Sequence, residues 1–440
     1  MLRRHLRVLP LLVAAGMAIA ACGSDDKGSS SPATTGAPAP TSAGEQPAPS
    51  ASEQPATTAG APASECDASK KIKFGAIYSL SGPSADIGAL SKDGVSMAVE
   101  DVNAEGGVLG RCVELILKDD EGDPTKAAQV VRQLVDQDEV AVVLGPFLSS
   151  PVNATLEVTT PAKVIQITQS ALTAAADPKL YPYSFTNENN SQQIDTAMAK
   201  FIERQGWTKA GIIAVNNAYG TQSIDLFTAA IKDTSVKIVG TPQLHESGKV
   251  DLNAEVGAVV GAGADVIMIF NVAGPDQTAT IKARNQQAPG LPMVGSSSLY
   301  NASTTDNFTA EELETVYGGP GYTALAYRDA SDPVPLGDKA AAFIDRYKKY
   351  LGVGEMKVSV SQAVGAYDGL MAAAAAINGV GSAEDPDALR AWFESNSYPG
   401  VRATLSWSAT SHAGVSPDQT SFMKVKSLRD GLTQLAPGEG

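Results

Sequence analysis

Short apolar runs alternate with amphipathic stretches along the chain from Lys70 onward. The apolar segment KIKFGAIY precedes SKDGVSMAVEDVNAEGG, in which valine, alanine and methionine recur at helical spacing. The segments CVELILKD, TKAAQVVRQLVDQD, VAVVLG and VIQIT continue the series. Strands and helices in this order predict right-handed βαβ units around a parallel sheet.

The same alternation restarts after about residue 188, which predicts a second lobe of similar size. Its strands are AGIIAVNN, VKIVGTPQL, ADVIMIF and LPMVGSS, and a helical pattern precedes each of them. The helical patterns DKAAAFIDRYKKYLG, VSQAVGAYDGLMAAAAAI and PDALRAWFESN then precede two strands in VRATLSWSATSH and SFMKVKSL. We predict an α/β fold of two doubly wound parallel-sheet lobes. Residues 67–186 plus about 318–395 form lobe 1, and residues 187–317 plus about 396–436 form lobe 2.

The first 21 residues have the pattern of an export signal. Arg3, Arg4 and Arg7 precede the apolar run VLPLLVAAGMAIA, which is too short to span a bilayer comfortably. Small residues then lead into Cys22, as in a bacterial lipobox. We expect cleavage before Cys22 and lipidation of its thiol; an ordinary signal peptide cut nearby is the alternative.

Residues 22–65 are rich in Pro, Ala, Ser, Thr and Gly and hold almost nothing that a core could bury. Such a segment is expected to be a disordered linker. Together with a lipidated Cys22, it predicts a protein anchored by lipid to the outer face of the cytoplasmic membrane.

The two remaining cysteines each precede a predicted strand. Cys66 lies before KIKFGAIY, and Cys112 begins CVELILKD. Parallel strands start at the same edge of a sheet, and exported proteins meet an oxidising compartment, so we expect a Cys66–Cys112 disulfide. Chain-entropy arguments give such a crosslink about 3–4 kcal/mol. Two free buried thiols are the alternative.

Composition and charge exclude several classes of function. The chain of 440 residues has a formal net charge of −15, and no block of Lys and Arg occurs in its body, so we expect no nucleic-acid partner. The three histidines, His5, His245 and His412, have no Cys or His at metal-ligand spacing.

Motifs that carry catalysis are also absent from the sequence. Gly295 and the three serines after it lack the second glycine of a nucleophile elbow, and there is no phosphate-binding GxxxxGK[ST] loop. Asp119, Asp120 and Glu121 could in principle bind a metal, but a solvated turn and a helix cap, with Asp123-Pro124 opening the next helix, fit them better. We predict no catalytic residue, metal or cofactor, and hence no enzyme.

The segments that follow the predicted strands are polar but almost uncharged. They are SLSGP (79–83), GPFLSS (145–150), TQSAL (168–172), NAYG (217–220), NVAGPD (271–276) and SSSLY (296–300). Ligands of open parallel sheets lie beyond the carboxyl ends of the strands. A hydrogen-bonding pocket in a cleft between the lobes is therefore expected.

Ser149 and Ser150 follow a predicted strand and Gly145, at the start of a predicted helix. A helix N-terminus offers free backbone N–H groups and a partial positive charge, which together with the serine hydroxyls would hold a carboxylate. The alternative is helix capping alone, with Pro151 at the first helical position. Both roles can coexist.

Several stretches together carry a family resemblance. They are GAIYSLSGPSADIG, AVEDVNAEGGVLGRCVELILKDDEGDPTKAAQVVRQLV, VVLGPFLSS, NNAYG, GADVIMIF, LPMVGSS and AVGAYDGL. From about Lys70 to its end the chain resembles the type I periplasmic binding proteins, in the leucine/isoleucine/valine-binding branch of ABC-transporter receptors. The resemblance implies a monomeric two-lobe clamp with three hinge crossings, which captures a small solute and presents it to ABC permease subunits.

The resemblance also assigns roles to individual residues. Ser149 falls at the carboxylate-binding serine, Ser170 and Ala171 fall in the second binding loop, and Tyr219 falls where a cleft aromatic is common. Tyr367-Asp368 matches a motif with a structural role. The ligand-binding candidates are Ser149, Ser150, Ser170, Ala171, Tyr219, Asn271 and Ser297.

One departure from the family bears on the solute. Members that bind amino acids commonly carry a threonine near the position of Leu172 and an acidic residue near that of Ser297. Here Ser297 lies in an uncharged run of serines, the next carboxylate is Asp306, and Asp276 belongs to a helix start. A buried ammonium without an acidic partner is costly. We expect a small carboxylate-bearing solute, amino-acid-like or without the amine; a neutral amide is a further candidate.

Two other functions stay open at this point. A ligand sensor on the same fold would pass occupancy to a signalling partner instead of a permease. A hydrolase would need a nucleophile and a base, which the sequence does not offer.

Overall fold

A computed structural model of the protein describes residues 65–300, 302–327 and 337–439. The predicted signal peptide, Cys22 and all of the predicted linker except its last residue lie outside the described residues. The strands are β1 (Asp67–Tyr78), β2 (Arg111–Asp119), β3 (Val142–Leu144), β4 (Ile165–Thr168), β5 (Ser184–Thr186), β6 (Lys209–Val215), β7 (Lys237–Ile238), β8 (Gln243–His245), β9 (Val266–Phe270), β10 (Met293–Gly295), β11 (Val316–Tyr322), β12 (Ala326–Tyr327), β13 (Ser397–Pro399), β14 (Thr404–Ser406), β15 (Thr420–Arg429) and β16 (Leu432–Leu435). The α-helices are α1 (Ala85–Ala104), α2 (Pro124–Asp136), α3 (Ser149–Thr159), α4 (Ser191–Arg204), α5 (Ala218–Ala230), α6 (Asn253–Gly261), α7 (Gly274–Gln287), α8 (Ala302–Thr305), α9 (Asp338–Leu351), α10 (Ser361–Val380) and α11 (Pro386–Ser395).

Lobe 1 is built on a five-stranded parallel sheet in the order β2-β1-β3-β4-β5. The apolar side chains of β1 are buried on both faces of this sheet. Phe74 packs into the larger core with α1 and α10, whereas Ile77 packs on the other face against α2. Burial on both faces explains why the strand is almost continuously apolar. The predicted parallel sheet of lobe 1 is confirmed.

Lobe 2 has a nine-stranded sheet in the order β12-β16-β15-β11-β10-β9-β6-β7, with β8 also paired to β6. Strand β9 alternates between two cores, since Met268 and Phe270 face α4 and α5 while Ile267 and Ile269 face α6 and α7. The strands from β6 to β11 are parallel, as expected for this lobe, although β7 and β8 were predicted as one strand and β11 was not predicted. The sheet then continues with β15, which runs antiparallel to β11.

The chain passes between the lobes three times, between β5 and α4, between β12 and α9, and between β14 and β15. Two predicted boundaries differ from the structure. Residues 318–322, assigned to lobe 1, belong to β11 in the sheet of lobe 2. Residues 397–415, assigned to lobe 2, pack on lobe 1, because Trp407 contacts Phe185 and Phe393 edge-on and donates to the Thr186 carbonyl at 2.9 Å.

Helix α10 has a long apolar sequence because it lies in the core of lobe 1. Within the described ranges it alone is long and apolar enough to cross a membrane, and 67% of that window is buried inside the protein. Asp368 accepts hydrogen bonds from the N–H groups of Val401 and Arg402, and Tyr367 donates to Asp101. These contacts fit the structural role expected of Tyr367-Asp368.

The structure joins Cys66 and Cys112 in a disulfide, with their Cα atoms 4.9 Å apart. The crosslink lies beside the start of β1, where the Asp67 N–H donates to the Gly110 carbonyl at 2.8 Å. This is the pairing expected from the two strand starts.

The acidic cluster after β2 forms a turn. Asp119 accepts from the N–H of Leu80 and of Glu121, Asp120 accepts from the Ser79 hydroxyl, and Asp123 caps α2 with Pro124 at the first helical position. Among the described residues, no group of three or more His, Cys, Asp or Glu side chains is arranged to hold a metal ion.

Candidate functional site

A cavity of about 900 Å³, which includes space open to solvent, lies between the two lobes. Lobe 1 contributes the loops after β3 and β4 and the start of α10, and lobe 2 contributes the starts of α4 and α5 and the loops after β9 and β10. The lining residues are Ile87, Phe147, Leu148, Ser149, Gln169, Ala171, Glu188, Ile194, Asn217, Tyr219, Val272, Ser296, Ser297, Ser298, Gly319, Pro320, Ser359, Ser361 and Gln362. We refer to this cavity as the inter-lobe pocket.

Gly145 ends β3 and directs the chain toward the pocket. Its φ of +77° lies in the left-handed region, and a Cβ there would lie 2.3 Å from the Ile77 carbonyl oxygen. Only glycine fits such a close approach of two backbones. The Gln166 side chain donates to the Gly145 carbonyl at 2.9 Å, which fixes the loop that leads to α3.

Helix α3 begins at Ser149 with unused donors. Its N-cap is Leu148, no side chain caps it, and Pro151 is the third helical residue, not the first as predicted. Among the described residues, the N–H groups of Ser149 and Ser150 and the Ser149 hydroxyl have no hydrogen-bond partner. Because a helix N-terminus carries partial positive charge, Ser149 presents an anion-binding surface to the pocket.

Ser150 has a different place from Ser149. It does not line the pocket, and its hydroxyl accepts a 3.4 Å hydrogen bond from the N–H of Ala218 at the start of α5. The second serine therefore touches lobe 2 across the cleft, and the structure does not place its side chain toward a solute.

The loop after β4 supplies the next part of the wall. Ala171 lines the pocket, but Ser170 is fully buried beneath it and its hydroxyl accepts from the Leu172 N–H at 3.2 Å. The Ala171 carbonyl already accepts from the Ser191 N–H at 2.6 Å. Thr173 follows with a buried hydroxyl that has no hydrogen-bond partner within the described ranges. Ser170 thus shapes the loop from below.

The lobe 2 wall contains Tyr219 and the serine run. Asn217 caps α5 by accepting from the N–H groups of Tyr219 and Gly220. Tyr219 is 4% exposed, and burial raises the pKa of its phenol. Ser297 lines the pocket between Ser296 and Ser298, whose hydroxyls bond each other at 2.7 Å.

Asn271 does not line the pocket. Its side chain is fully buried, with the amide nitrogen 3.5 Å from His245 Nε2, and its carbonyl accepts from Gln277. The neighbouring Val272 is the residue that faces the cavity.

Glu188 is the one charged side chain among the lining residues, and the sequence analysis missed it. Its carboxylate accepts from the Tyr322 hydroxyl at 2.5 Å and pairs with Arg402 Nη1 at 3.2 Å. The Arg402 side chain is 1% exposed and its guanidinium lies 4.2 Å from the centre of the Tyr322 ring. Arg402 comes from residues 397–415, so no local sequence signal could have identified this pair.

Further contacts join the lobes around the pocket. The Ser303 hydroxyl donates to Asp86 at the start of α1, and the Thr173 N–H donates to the Gln222 side chain at 3.2 Å. With the contact between Ser150 and Ala218, these hydrogen bonds connect the rims of the two lobes. They hold lining residues of both lobes around one space.

The fold and the pocket define a class of two-lobed proteins with a ligand site between parallel-sheet lobes. Residues 71–431 match the family described as periplasmic binding protein, and this chain belongs to that family. It lies in the type I, leucine/isoleucine/valine-binding branch.

Three relatives illustrate the similarity. An amino acid binding protein of Pseudomonas aeruginosa is 27% identical over 331 residues, 74% of this chain and 83% of that protein. A branched-chain amino acid transporter substrate binding protein of Streptococcus pneumoniae, solved with isoleucine, has a TM-score of 0.68 at 23% identity and covers 83% of this chain and 99% of its own. A solute binding protein of an ABC transporter from Rhodopseudomonas palustris, solved with 3,4-dihydroxybenzoic acid, has a TM-score of 0.71 at 19% identity, with coverage of 84% and 97%.

Of the predicted ligand-binding residues, the structure therefore brings Ser149, Ala171, Tyr219 and Ser297 to one pocket. Ser150, Ser170 and Asn271 lie beside it. The polar lining residues that the sequence analysis missed include Gln169, Glu188, Asn217 and Gln362. Asn217 was within the quoted motif NAYG, whereas Gln362 at the start of α10 had no signal of its own.

Proposed function

We propose that this protein is an extracytoplasmic receptor of an ABC importer that captures a small carboxylate-bearing solute between its lobes. The receptor role rests on family membership, since family members bind solutes outside the cytoplasm and are not enzymes. The signal-like segment and the lipobox at Cys22 support export and anchoring to the outer face of the cytoplasmic membrane. ABC permease subunits would be its partners.

The unused donors at the start of α3 carry the proposal of a carboxylate. In the part of the chain that the structure describes, two backbone N–H groups and the Ser149 hydroxyl lack partners at a helix N-terminus that borders the pocket. Hydrogen bonds to a charged group contribute about 1.5–3 kcal/mol each, more than neutral ones. A carboxylate that accepts from Ser149 would satisfy these donors without a basic side chain.

The acceptors around the pocket favour a solute without an α-amine. The one lining carboxylate, Glu188, is already paired with Arg402 and Tyr322, and the Ala171 carbonyl already accepts from Ser191. A buried ammonium would then lack a free acidic partner, which is costly. We therefore place keto acids and aromatic carboxylates before amino acids.

Capture follows from the contacts between the rims. A solute held on lobe 1 by Ser149 would be enclosed when lobe 2 closes over it by hinge bending at the three crossings. The hydrogen bonds of Ser150 with Ala218 and of Ser303 with Asp86 would add to the closed arrangement. The closed form is the one that a permease would engage.

The test is a binding screen on the full-length chain in detergent, read by thermal shift and calorimetry. The panel contains branched-chain amino acids, their keto-acid analogues, aromatic carboxylates and small amides. A solute at 100 times its dissociation constant stabilises the protein by about 2.7 kcal/mol. Binding of amine-free acids is expected, and Ser149→Ala should weaken it roughly 10- to 100-fold. Ser408→Ala, at a residue that does not line the pocket, is the matched control.

Two results would contradict parts of this proposal. If amino acids bind and their keto analogues do not, a group other than Glu188 pairs with the ammonium and the preference for amine-free acids is wrong. If small amides bind and no acid does, the proposal that the solute bears a carboxylate is wrong.

A further inference from the structure

Asp195 is a buried acid beside the inter-lobe pocket that the function proposed above does not use. It lies on α4, directly after the lining residue Ile194, and its side chain is fully buried. Neither of its carboxyl oxygens has a hydrogen-bond partner of ordinary geometry among the described residues. Buried polar atoms nearly always have partners, so such an orphaned group needs an explanation.

Helix α5 brings two hydroxyls to the same place. Tyr219 and Ser223 lie one helical turn apart on α5, and both are buried with hydroxyl oxygens that lack a partner of ordinary geometry. The Tyr219 hydroxyl nevertheless interacts with the hydroxyls of Ser223 and Ser296 and electrostatically with Asp195, which in turn interacts with Ser223. We call Asp195, Ser223, Tyr219 and Ser296 the buried polar cluster.

The buried polar cluster reaches the pocket through two of its members. Tyr219 and Ser296 line the cavity, whereas Asp195 and Ser223 lie behind them. Tyr219 and Ser296 belong to lobe 2, and the unused donors of Ser149 belong to lobe 1. A solute whose carboxylate sits on α3 would therefore face the cluster from the other lobe of the same pocket.

We propose that the buried polar cluster is a subsite for a hydroxyl group of the solute, with Asp195 and Ser223 as positioning residues that act through Tyr219. The inference rests on the carboxylate-binding function proposed above and narrows it. The solute class becomes a hydroxy acid, with its carboxylate on α3 and its hydroxyl on the cluster.

The charge of the cluster favours a hydroxyl over an ionic group. Burial raises the pKa of Asp195 well above its ordinary value, because no basic side chain of the described residues offsets the loss of solvation, and burial also raises the pKa of Tyr219. Burial therefore favours the uncharged forms of both Asp195 and Tyr219. A second carboxylate would find no cation there, and an ammonium would require Asp195 to release its proton. A hydroxyl can donate to one member and accept from another.

The experiment compares matched acids by calorimetry on the full-length chain at pH 7. The probes are benzoate and 4-hydroxybenzoate, and hexanoate, 6-hydroxyhexanoate and 6-aminohexanoate. Within at least one series we expect the hydroxylated acid to bind 10-fold or more tightly than its parent. This ratio of affinities, hydroxylated acid over parent acid, should persist in Asp195→Asn, which keeps a donor and an acceptor. It should fall to about 1 in Asp195→Leu and in Tyr219→Phe.

Asp276→Asn is the matched control. Asp276 is also a fully buried acid of lobe 2 with an orphaned oxygen, but it does not line the pocket and no interaction links it to Tyr219. Its substitution should leave the selectivity ratio unchanged. If Asp195→Leu does not fold, Ser223→Ala and Tyr219→Phe still test the cluster, because the ratio reports on the subsite and not on stability.

The outcomes separate the two proposals. The hydroxyl subsite is wrong if the parent acids bind and their hydroxylated forms bind no more tightly. It is also wrong if Asp195→Leu and Tyr219→Phe keep the affinity ratio between hydroxylated and parent acid. In both cases the proposed binding of a carboxylate stands. Preference for 6-aminohexanoate with release of about one proton, measured in buffers of different ionisation enthalpy, would identify Asp195 as a counter-ion and overturn the hydroxyl. If no acid binds, the carboxylate function fails and the subsite falls with it.

Discussion

Removing the charge of Glu188 tests how strongly the three chain crossings depend on one ion pair. Glu188 lies between β5 and α4, Tyr322 ends β11, and Arg402 lies in the segment that precedes the third crossing. The Arg402 guanidinium also donates to the carbonyls of Asn187 and Ser361. Glu188→Gln keeps the size of the side chain and an acceptor for Tyr322 but leaves Arg402 without its closest carboxylate.

The structure sets the size of the effect. Removing one partner of a buried ion pair costs about 3–5 kcal/mol. The Glu188 side chain retains 15% exposure, and Asp368 also interacts electrostatically with Arg402, so the lower end, about 3 kcal/mol, is expected. Arg402→Met should also lower the free energy of unfolding, because the carbonyls of Asn187 and Ser361 lose their donor. The free energy of unfolding of the double variant should fall by about 2 kcal/mol less than the sum of the losses in the two single variants.

Urea unfolding followed by tryptophan fluorescence measures these quantities, with equal m-values required for the comparison. The surface pair Lys71–Glu114, with both side chains more than 40% exposed, is the control, and Glu114→Gln should change stability by less than about 1 kcal/mol. A coupling energy below about 0.5 kcal/mol between Glu188 and Arg402 would refute the view that their ion pair fastens the crossings.

Three further predictions concern stability and closure. Replacing Cys66 and Cys112 by serine should lower the free energy of unfolding by about 3–4 kcal/mol, measured by chemical denaturation of both forms under oxidising conditions; an unchanged midpoint would contradict it. Burial raises the pKa of Asp276 to about 7, above the value of about 3.9 expected in the unfolded chain. The stability that protonated Asp276 contributes is therefore fully present below about pH 3.9 and is lost as the pH rises toward 7, by at most about 1.4 kcal/mol per pH unit. Relative to Asp276→Asn, the unmodified protein should therefore become less stable between pH 4 and pH 7. If the melting temperatures of the two proteins differ by the same amount at every pH, this prediction is wrong. Ser303→Ala removes the hydrogen bond to Asp86 and should weaken solute binding about 2- to 10-fold, with the melting temperature of the solute-free protein unchanged; equal affinity would show that this contact does not add to closure.

The lobe boundaries illustrate where sequence patterns lose their information. Strands β1 to β4, β6, β9 and β10 were predicted because each is a short apolar run followed by a turn or a helical pattern, whereas β5 and β11 were not predicted. Residues 397–415 also look like strand-forming sequence, but hydropathy does not specify which lobe they join. Trp407 decides this through its contacts with Phe185 and Phe393, which lie far away in the chain.

The candidate site divides in the same way. Ser149, Ala171, Tyr219 and Ser297 lie in segments that follow strands, and the rule that ligands lie beyond the carboxyl ends of parallel strands selected those segments. Within them, the family resemblance singled out Ser149, Ala171 and Tyr219. Ser150, Ser170 and Asn271 also follow strands but do not line the pocket. A rotation of about 100° per residue, or the inward turn of a loop, separates a lining side chain from its neighbour.

By itself, the sequence determined the α/β class, the alternation of elements, the pairing of Cys66 with Cys112 and the edge of each sheet where a ligand site forms. These properties follow from local periodicity and from the geometry of parallel strands. Only the tertiary structure decided the charge balance of the site. Glu188 and Arg402 meet across the chain crossings, and Asp195 reaches Tyr219 only because α4 packs on α5, so their contacts depend on packing between segments whose separation in sequence carries no signal.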